Sequence, residues 1–426
     1  MVGTVPPRCP ARVVSAVRGN LDSWARRPLA SFTVLVSVYG LLTVIGLVMV
    51  LSASSVESLL QSGSLYEVFV RQLAFSGAGL LLFVVGLRVE PARWRRISAV
   101  LLLVGLVLLV GVLVPGLGTA IAGARKWYSL VGLSFQPSEP AKIALALWGA
   151  HVLARHRRPG WRDLLSPLLP VGVVMLTLVV LEPDLGTAVS IGILVVALLH
   201  FGGAPWRLLA AIGGGGLVGA LVLGLTAGYR HSRIASYLDP GSADPQGAAY
   251  QSTQALYALA DGGWLGRGLG QGGSKWSYLP NASNDFIFAI LGEELGTLGG
   301  LLVIGLFVVL AWVGLRIAAR TRDRWLRIVA ATITTWLVGQ AAINIGYVVG
   351  LLPVTGIPLP LISSGGTSLV VTMFAFGLLA GAACREPEAA AILQQGQAPL
   401  LARLTGIRPA SRERRAWATR GGSRAR

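Results

Sequence analysis

The sequence predicts an all-α membrane protein, a bundle of about ten transmembrane helices with one large extracytoplasmic loop. Of its 426 residues, 54% are hydrophobic and only 13% are charged, and the mean hydropathy is +0.68. Soluble domains carry about 25% charged residues, so this chain cannot cover its surface with ionised groups. Apolar runs such as Phe32–Leu51 and Leu164–Leu181 approach or reach the roughly 20 residues that cross a bilayer. A buried soluble helix explains one such run but not about ten.

The apolar runs define three regions of the chain. A basic N-terminal segment at 1–31 precedes a membrane domain at 32–384, and a basic tail at 385–426 is predicted to be disordered. The first apolar run is too long for a cleaved signal peptide. The predicted helices of the membrane domain lie at residues 32–52, 71–87, 97–114, 139–154, 164–182, 185–201, 208–227, 286–315, 326–350 and 367–384.

The distribution of positive charge orients this bundle. With the N-terminus inside, 28 of the 36 Lys and Arg residues fall in segments that face the cytoplasm, as the positive-inside rule requires. An even number of helices then places both termini in the cytoplasm. The net charge of +18 therefore reflects topology, and no nucleic-acid partner is expected. The tail either fixes topology alone or attracts anionic lipid or an acidic partner.

The two cysteines, Cys9 and Cys384, both lie on the predicted cytoplasmic side. We therefore expect neither a disulfide nor a cysteine metal site.

Three outer connections are rich in loop signals, at residues 115–137, 228–284 and 351–366. The second is too long to be a turn, and it contains an amphipathic stretch, Tyr250–Leu259, followed by a glycine-rich stretch, Gly262–Gly273. No Gly-Lys-Ser/Thr closes the glycines and no strand precedes them, so a nucleotide-phosphate loop is not expected. A close-packed outer loop is the better interpretation.

Ionisable residues inside apolar helices are costly and mark candidate functional positions. Glu139 and Lys142 are spaced i, i+3 and share one helix face. They form either a structural ion pair or part of a polar cavity that opens to the outer leaflet. Glu293 and Glu294 lie in another helix, and at least one must find a basic or backbone partner in the bundle.

Two acidic turns and one basic pair lie at the predicted outer surface. Asp184, next to Glu182, either caps the following helix or has a functional role. Asp285 is either a helix cap or a carboxylate at the membrane boundary with a raised pKa, suited to a general base. Arg125 and Lys126, beside an interfacial tryptophan, either anchor the chain or bind a lipid-linked pyrophosphate.

Several motifs, in order along residues 32–388, resemble one family. The chain is similar to the SEDS family (shape, elongation, division and sporulation), which includes the FtsW, RodA and SpoVE proteins, and is closest to actinobacterial FtsW in its 355–363 segment and basic tail. The motifs that carry the resemblance are Gly123–Trp127, Phe135–Lys142, Glu182–Thr187, Tyr250-Gln251, Gly266–Gly270, Leu279-Pro280, Asn284–Phe288, Gly292–Gly296 and Gly350–Ser368. The chain departs from the family pattern at Glu182, Asn284 and Ser364.

The resemblance implies a peptidoglycan glycosyltransferase of the plasma membrane that polymerises lipid II for the division septum and releases undecaprenyl pyrophosphate. It implies a class B penicillin-binding transpeptidase and other divisome proteins as partners, and leaves open a divalent cation, Mg²⁺ or Mn²⁺. An elongation polymerase like RodA, a lipid II flippase and a divisome scaffold remain alternatives. It assigns Asp285 as the catalytic acid, and the expected substrate-binding residues are Arg125, Lys126, Glu139, Lys142, Gln251, Lys275, Ser363 and Thr367.

Overall fold

The computed structural model describes residues 29–121, 124–130, 133–155, 160, 163–164, 166–226, 237, 248–276, 279–280 and 282–394. Each of the ten predicted helices corresponds to an observed helix, although the boundaries shift. These ten are α1 Ala30–Ser62, α2 Glu67–Arg88, α3 Pro91–Leu113, α4 Ser138–Ala154, α5 Leu168–Leu181, α6 Leu185–Gly202, α7 Trp206–Thr226, α9 Ile287–Arg320, α10 Arg324–Val348 and α11 Gly366–Ala383. Two further helices are α8, Ala248–Gly262, and α12, Pro387–Gln394.

Seven of the described helices are long and apolar enough to cross a membrane: α1, α2, α3, α6, α9, α10 and α11. Helix α5 is equally apolar but shorter. The helical bundle is therefore confirmed, whereas the number of ten spans stays a prediction.

Helix α1 continues ten residues beyond its predicted end at residue 52. The hydroxyl groups of polar residues there bond to the carbonyls of the preceding turn, as Ser54 does to that of Val50 at 2.6 Å. The helix stops at Gly63, which has a φ of 72°, a left-handed conformation that glycine adopts at helix ends.

Helices α11, α10 and α6 form the centre of the bundle. Buried residues make up 78% of the most apolar window of α11 and 67% of that of α10, but only 22% and 28% of those of α2 and α3. Helix α11 packs extensively along α2, and α9 packs along α10. Side chains such as Leu81, Val100 and Leu103 of α2 and α3 are exposed, as expected for helices that face lipid.

The outer segment after α3 contains a small sheet that the sequence did not predict. Strands β1 (Thr119–Ile121), β2 (Ala124–Leu130) and β3 (Leu133–Phe135) pair antiparallel in the order β1-β2-β3. The Tyr128 hydroxyl donates to the carbonyl of Leu108 in α3 at 2.8 Å. This bond fixes the sheet, and the residues it carries, against the bundle.

Helix α9 is kinked at Gly296, where φ is 70° and ψ is −173°. The kink interrupts the helical ladder, so the carbonyls of Glu293 and Glu294 accept instead from the amides of Arg267 and Gly268, both at 3.0 Å. The glycine-rich stretch of the outer loop therefore fills the kink. Its predicted close packing is confirmed.

The start of the C-terminal tail is ordered, contrary to the disorder predicted from residue 385. Helix α12 is held against α9 because Arg320 pairs with Glu386 at 3.2 Å and also contacts Glu388. Cys384, just before it, is buried and free. The predicted N-terminal segment up to residue 28, which includes Cys9, and the tail beyond residue 394 lie outside the described residues, as does much of the loop at 228–247.

Candidate functional site

Asp285 is half-buried at the junction between the long outer loop and α9. The helix begins at Ile287, and its N-cap, Phe286, makes no side-chain capping bond. Asp285 therefore lies one residue before the N-cap position. Its main-chain carbonyl accepts from the Asn344 amide at 3.0 Å and from the Tyr347 hydroxyl at 2.8 Å, so α10 fixes the position of this residue.

The same two side chains of α10 also bind the third outer segment. Asn344 donates to the carbonyl of Ile357 at 2.7 Å, and the Tyr347 hydroxyl, whose single proton lies between this carbonyl and that of Asp285, is 2.9 Å from it. Gln340 donates to the carbonyl of Pro358 at 3.0 Å. The spacing i, i+4, i+7 of these three polar residues places them on one face of α10. That face joins the Asp285 junction to the segment at 351–365.

Ser363, predicted to bind substrate, lies between these two segments. Its hydroxyl donates to the carbonyl of Asn284 at 2.7 Å and accepts from the amide of Leu359 at 2.8 Å. The amide of Ser364 donates to the carbonyl of Ser283 at 2.9 Å. Ser363 therefore holds the residue next to Asp285, and its contact with substrate stays a prediction.

Asp184 forms the centre of a second polar cluster at the outer surface. Its carboxylate accepts from Gln136 at 3.0 Å, pairs with Lys126 at 3.1 Å, and accepts from the amide and hydroxyl of Thr187 at 3.1 and 2.9 Å. The bond to the Thr187 amide caps α6, so the predicted capping role is confirmed. Burial opposes ionisation of Asp184, but Lys126 and the hydrogen bonds outweigh it and hold the pKa below its usual value.

The two cations of β2 have different surroundings. Lys126 is engaged by Asp184, whereas Arg125 makes no side-chain hydrogen bond or ion pair with another described residue. Consecutive residues of a strand point to opposite faces. Arg125 therefore carries the uncompensated positive charge of this sheet.

Glu182, two residues before Asp184, is fully buried. Neither of its carboxyl oxygens has a hydrogen-bond partner among the described residues. Burial is the main cause that raises the pKa of Glu182 to about 8; Asp184 raises it further, and Lys126 opposes the shift. This carboxyl group is therefore protonated at neutral pH.

The two clusters meet through the segment at 351–365. A Cβ on Gly186, next to the Asp184 turn, would lie 2.6 Å from the carbonyl oxygen of Thr355 and 2.9 Å from the side chain of Ile357. Ile357 is also the residue held by Asn344 and Tyr347. Glycine at position 186 thus lets the turn approach the segment at 351–365 closely. The Asp285 junction and the cluster of Lys126, Asp184, Gln136 and Thr187, here called the Lys126 cluster, therefore both pack against this segment.

Thr367, at the start of α11, lies beside the Lys126 cluster. Its hydroxyl accepts from the amide of Gln136 and donates to the carbonyl of Ser134, both at 3.4 Å. These long bonds place Thr367 next to the segment that carries Gln136. Contact of Thr367 with substrate stays a prediction.

Glu139 and Lys142 form an ion pair, one of the two alternatives that their spacing left open. The ammonium and carboxylate lie 2.8 Å apart, each residue is 2% exposed, and Lys142 lies 4.9 Å from the ring centre of Trp336. This geometry supports the structural alternative, a pair inside the bundle. The second oxygen of Glu139 has no partner among the described residues, and contact of either residue with substrate stays a prediction.

Lys275 is buried beneath the glycine-rich loop. Its ammonium donates to the carbonyl of Gly270 at 2.7 Å and pairs with Glu294 at 3.3 Å, and Ser52 of α1 donates to the same carboxylate at 2.6 Å. Glu293 accepts from loop amides, that of Gly273 at 2.7 Å. The prediction that at least one of these glutamates finds a partner is confirmed, and Lys275 holds the loop on α9.

Gln251 is half-buried on α8, which packs against α9 and α10. One turn further along, an open cavity of about 410 Å³ separates α8 from the glycine-rich loop. It is lined by Gln254, Tyr257, Ala260, Asp261, Gly273 and Ser274. Binding of substrate by Gln251 stays a prediction.

Comparison with known proteins identifies the family. Residues 32–387 match the model of the FtsW, RodA and SpoVE family, described as cell cycle protein. The chain belongs to this family. Over 382 residues it is 49% identical to a probable peptidoglycan glycosyltransferase FtsW of Mycobacterium tuberculosis, covering 89% of this chain and 73% of the relative.

Two solved structures have the same fold. A chain of a peptidoglycan synthase complex, in which polymerization and crosslinking are coordinated, is 28% identical with a TM-score of 0.69, covering 83% of this chain and 98% of that one. The rod shape determining protein RodA of Thermus thermophilus is 26% identical with a TM-score of 0.61, covering 85% and 99%. Together with the apolar helices, these matches make the chain an integral membrane protein.

The Asp285 junction is held together partly by residues that the sequence analysis did not select. Their spacing could have identified them, since Gln340, Asn344 and Tyr347 recur on one face of a largely apolar helix. Gln72 of α2 gave a similar signal. It is buried, and its amide donates to the carbonyl of Ser363 at 3.3 Å.

Proposed function

We propose that the protein is a peptidoglycan glycosyltransferase that polymerises lipid II into glycan strands for the division septum and releases undecaprenyl pyrophosphate. The observation that carries this proposal is the position of Asp285, a carboxylate at the outer end of α9. Two side chains of α10 bind the main-chain carbonyl of Asp285 and so hold the residue in place. The 49% identity to a relative named peptidoglycan glycosyltransferase FtsW supports the same activity.

Asp285 is the general base in this proposal. The bonds from Asn344 and Tyr347 use its main-chain carbonyl, so they position the residue without engaging its carboxylate oxygens. A base held within hydrogen-bond reach of a hydroxyl accelerates its attack by about 10²- to 10⁴-fold. A base fixed by neighbouring elements keeps that geometry without further ordering cost.

The reaction forms one bond and breaks one bond. The 4-hydroxyl oxygen of an incoming lipid II attacks the anomeric carbon at the lipid-linked end of the growing chain, and Asp285 accepts the hydroxyl proton. The bond between the anomeric carbon and the phosphate oxygen breaks, and its electron pair leaves with undecaprenyl pyrophosphate.

Arg125 and Lys126 are the residues proposed to stabilise the charge of the leaving pyrophosphate. Cations placed where charge develops lower the barrier most when the site excludes water. Since Asp184 already compensates Lys126, Arg125 supplies the larger share of positive charge.

A divalent cation would find few protein ligands in the part of the chain described. Among those residues, no three His, Cys, Asp or Glu side chains group closely enough to hold a metal ion. Mg²⁺ is often held by one or two carboxylates together with substrate phosphates, so such a cation would be bound mainly through the pyrophosphate. A requirement for Mg²⁺ or Mn²⁺ stays a prediction.

The proposed setting is the septal plasma membrane, with both termini in the cytoplasm and a class B penicillin-binding transpeptidase among the divisome partners. Support comes from the similar chain found in a peptidoglycan synthase complex. The arginines of α3 near residue 95 and of α9 near residue 320 lie at the helix ends that the charge bias assigns to the cytoplasm.

The decisive experiment measures glycan polymer from labelled lipid II by the purified full-length protein with its cognate transpeptidase, beside the Asp285→Asn variant. Polymer from the first and none from the second, at equal yield of folded complex, supports the enzyme and its base together. Polymer from both removes Asp285 from the catalytic role.

Absence of polymer from either protein would favour the alternatives. Transfer of lipid II headgroups across proteoliposomes without polymer would indicate a flippase. Complementation of division by Asp285→Asn would indicate a scaffold, and rescue of elongation instead of septation would indicate a role like that of RodA.

A further inference from the structure

The carboxyl group of Glu182 is buried without a hydrogen bond to another described residue. It lies in the turn between α5 and α6, is fully buried, and both carboxyl oxygens lack a partner among the described residues. Its amide, by contrast, is satisfied by the carbonyls of Leu178 and Val179 at the end of α5. Burying a polar group without a hydrogen bond is unfavourable, and a residue that only terminated a helix would not need a carboxyl group.

The charges around Glu182 are few and come from two elements. Lys126 and Tyr128 face it from β2, and Asp184 faces it from the turn. The segment at 351–365, which packs on Gly186, contains no ionisable residue. Lys126 is thus the one cation near both acids in this described region, and Asp184 already holds it at 3.1 Å.

The protonation state of Glu182 therefore sets the charge beside Lys126. With Glu182 neutral, Lys126 and Asp184 compensate each other and together carry no net charge. With Glu182 ionised, a second carboxylate competes for Lys126 and makes the group of three side chains net negative. Because the site is buried, this change is poorly screened by solvent.

We propose that Glu182 is a positioning residue whose neutral form keeps the Lys126 cluster receptive to the pyrophosphate of a lipid-linked substrate, and whose ionised form repels it. This inference rests on the proposed function, because it concerns the pyrophosphate site of that reaction. Glu182 itself does not contact the reacting atoms. It acts through Lys126.

The consequence is a pH-dependent substrate affinity. Burial, with Asp184 adding to it and Lys126 opposing it, raises the pKa of Glu182 to about 8, so ionisation falls within a measurable range. Where only the protonated form accepts substrate, affinity falls about tenfold between pH 7 and pH 9.

The test compares wild type with Glu182→Gln, a neutral side chain of the same shape, in the full-length protein with its transpeptidase. We expect the KM for lipid II of the wild type to rise about tenfold between pH 7 and pH 9, and the KM of Glu182→Gln to stay level. The matched control is Glu67→Gln, which removes an exposed acid at the start of α2 that pairs with Arg71. This variant should keep the wild-type pH profile of KM. A parallel rise in KM for wild type and Glu182→Gln overturns the proposal.

Two further measurements do not depend on polymer formation. Infrared difference spectra should show the carbonyl band of a protonated carboxylic acid lost on titration through pH 8 in the wild type, and no such band in Glu182→Gln. Binding of undecaprenyl pyrophosphate to the protein in nanodiscs should weaken with pH in the wild type only. If no polymer forms but this binding difference persists, the glycosyltransferase proposal fails while Glu182 keeps its role; identical binding curves overturn the role of Glu182.

Discussion

The side-chain amide of Asn344 donates to the main-chain carbonyls of both Asp285 and Ile357, at 3.0 and 2.7 Å. One buried side chain near the outer end of α10 thus joins the start of α9 to the outer segment at 351–365.

Replacing Asn344 by Leu should lower polymerisation by about 10- to 100-fold, mainly in kcat, because misplacing a catalytic group by about 1 Å costs that much. Loss of its hydrogen bonds should also destabilise the protein by about 1–3 kcal/mol. The assay is polymer formation from labelled lipid II, beside thermal unfolding in detergent.

Gln340→Leu is the matched control for Asn344. Gln340 lies on the same face of α10 but donates only to the carbonyl of Pro358, so its loss should reduce stability with a smaller effect on kcat. Equal kcat losses in both variants would show that α10 acts through the outer segment alone and not by placing Asp285.

Lys275→Met should destabilise the protein by about 3–5 kcal/mol, since it leaves the carboxylate of Glu294 buried without its cation. The double variant with Glu294→Gln should recover much of that loss. Arg71→Met, which breaks an exposed pair with Glu67, should cost no more than about 1 kcal/mol. Thermal unfolding of the four proteins in one detergent gives the comparison.

The same double variant also tests the substrate role predicted for Lys275. A stable double variant that polymerises lipid II would show that this lysine only holds the loop. A stable but inactive one, with a raised KM, would show that Lys275 contacts substrate.

Gly296→Ala should destabilise the protein by about 1–3 kcal/mol, because its φ of 70° and ψ of −173° fall in a region that only glycine adopts without strain. The new Cβ would also collide with the main chain of Trp264 and Gly266. Gly305→Ala in the same helix, where a Cβ meets nothing within 4 Å, should be neutral or stabilising. Equal effects would mean that the kink does not need glycine.

Protein stability should fall as pH rises from about 4.5 to 8. The pKa of Glu182 is raised from 4.5 to about 8, so between these pH values the folded protein keeps a proton that the unfolded chain releases. The stability that Glu182 contributes is therefore fully present below pH 4.5 and is lost as the pH rises to about 8. Glu182→Gln should remove this part of the pH dependence. The unfolding temperature measured at several pH values checks it, and an unchanged slope in the variant would contradict a protonated Glu182.

The positions of the ten helices were predictable because each requires only a long apolar run, which is a local property of the chain. The capping role of Asp184 and the ion pair of Glu139 with Lys142 were each one of two alternatives that the sequence offered, since their partners lie three residues away. The small sheet whose central strand, β2, carries Arg125 and Lys126 was missed because its other two strands contain only three residues each, too few to show an alternating pattern.

The sequence by itself determined the membrane bundle, its family and the residues that carry its charge. Only the tertiary structure decided which of those charges are compensated. It pairs Lys126 with Asp184, 58 residues away, and Glu294 of α9 with Lys275 of the outer loop, and it leaves Glu182 without a partner among the described residues. The physical reason is that an apolar run or a helix cap depends on neighbours along the chain, whereas the state of a buried charge depends on which distant segments pack against it.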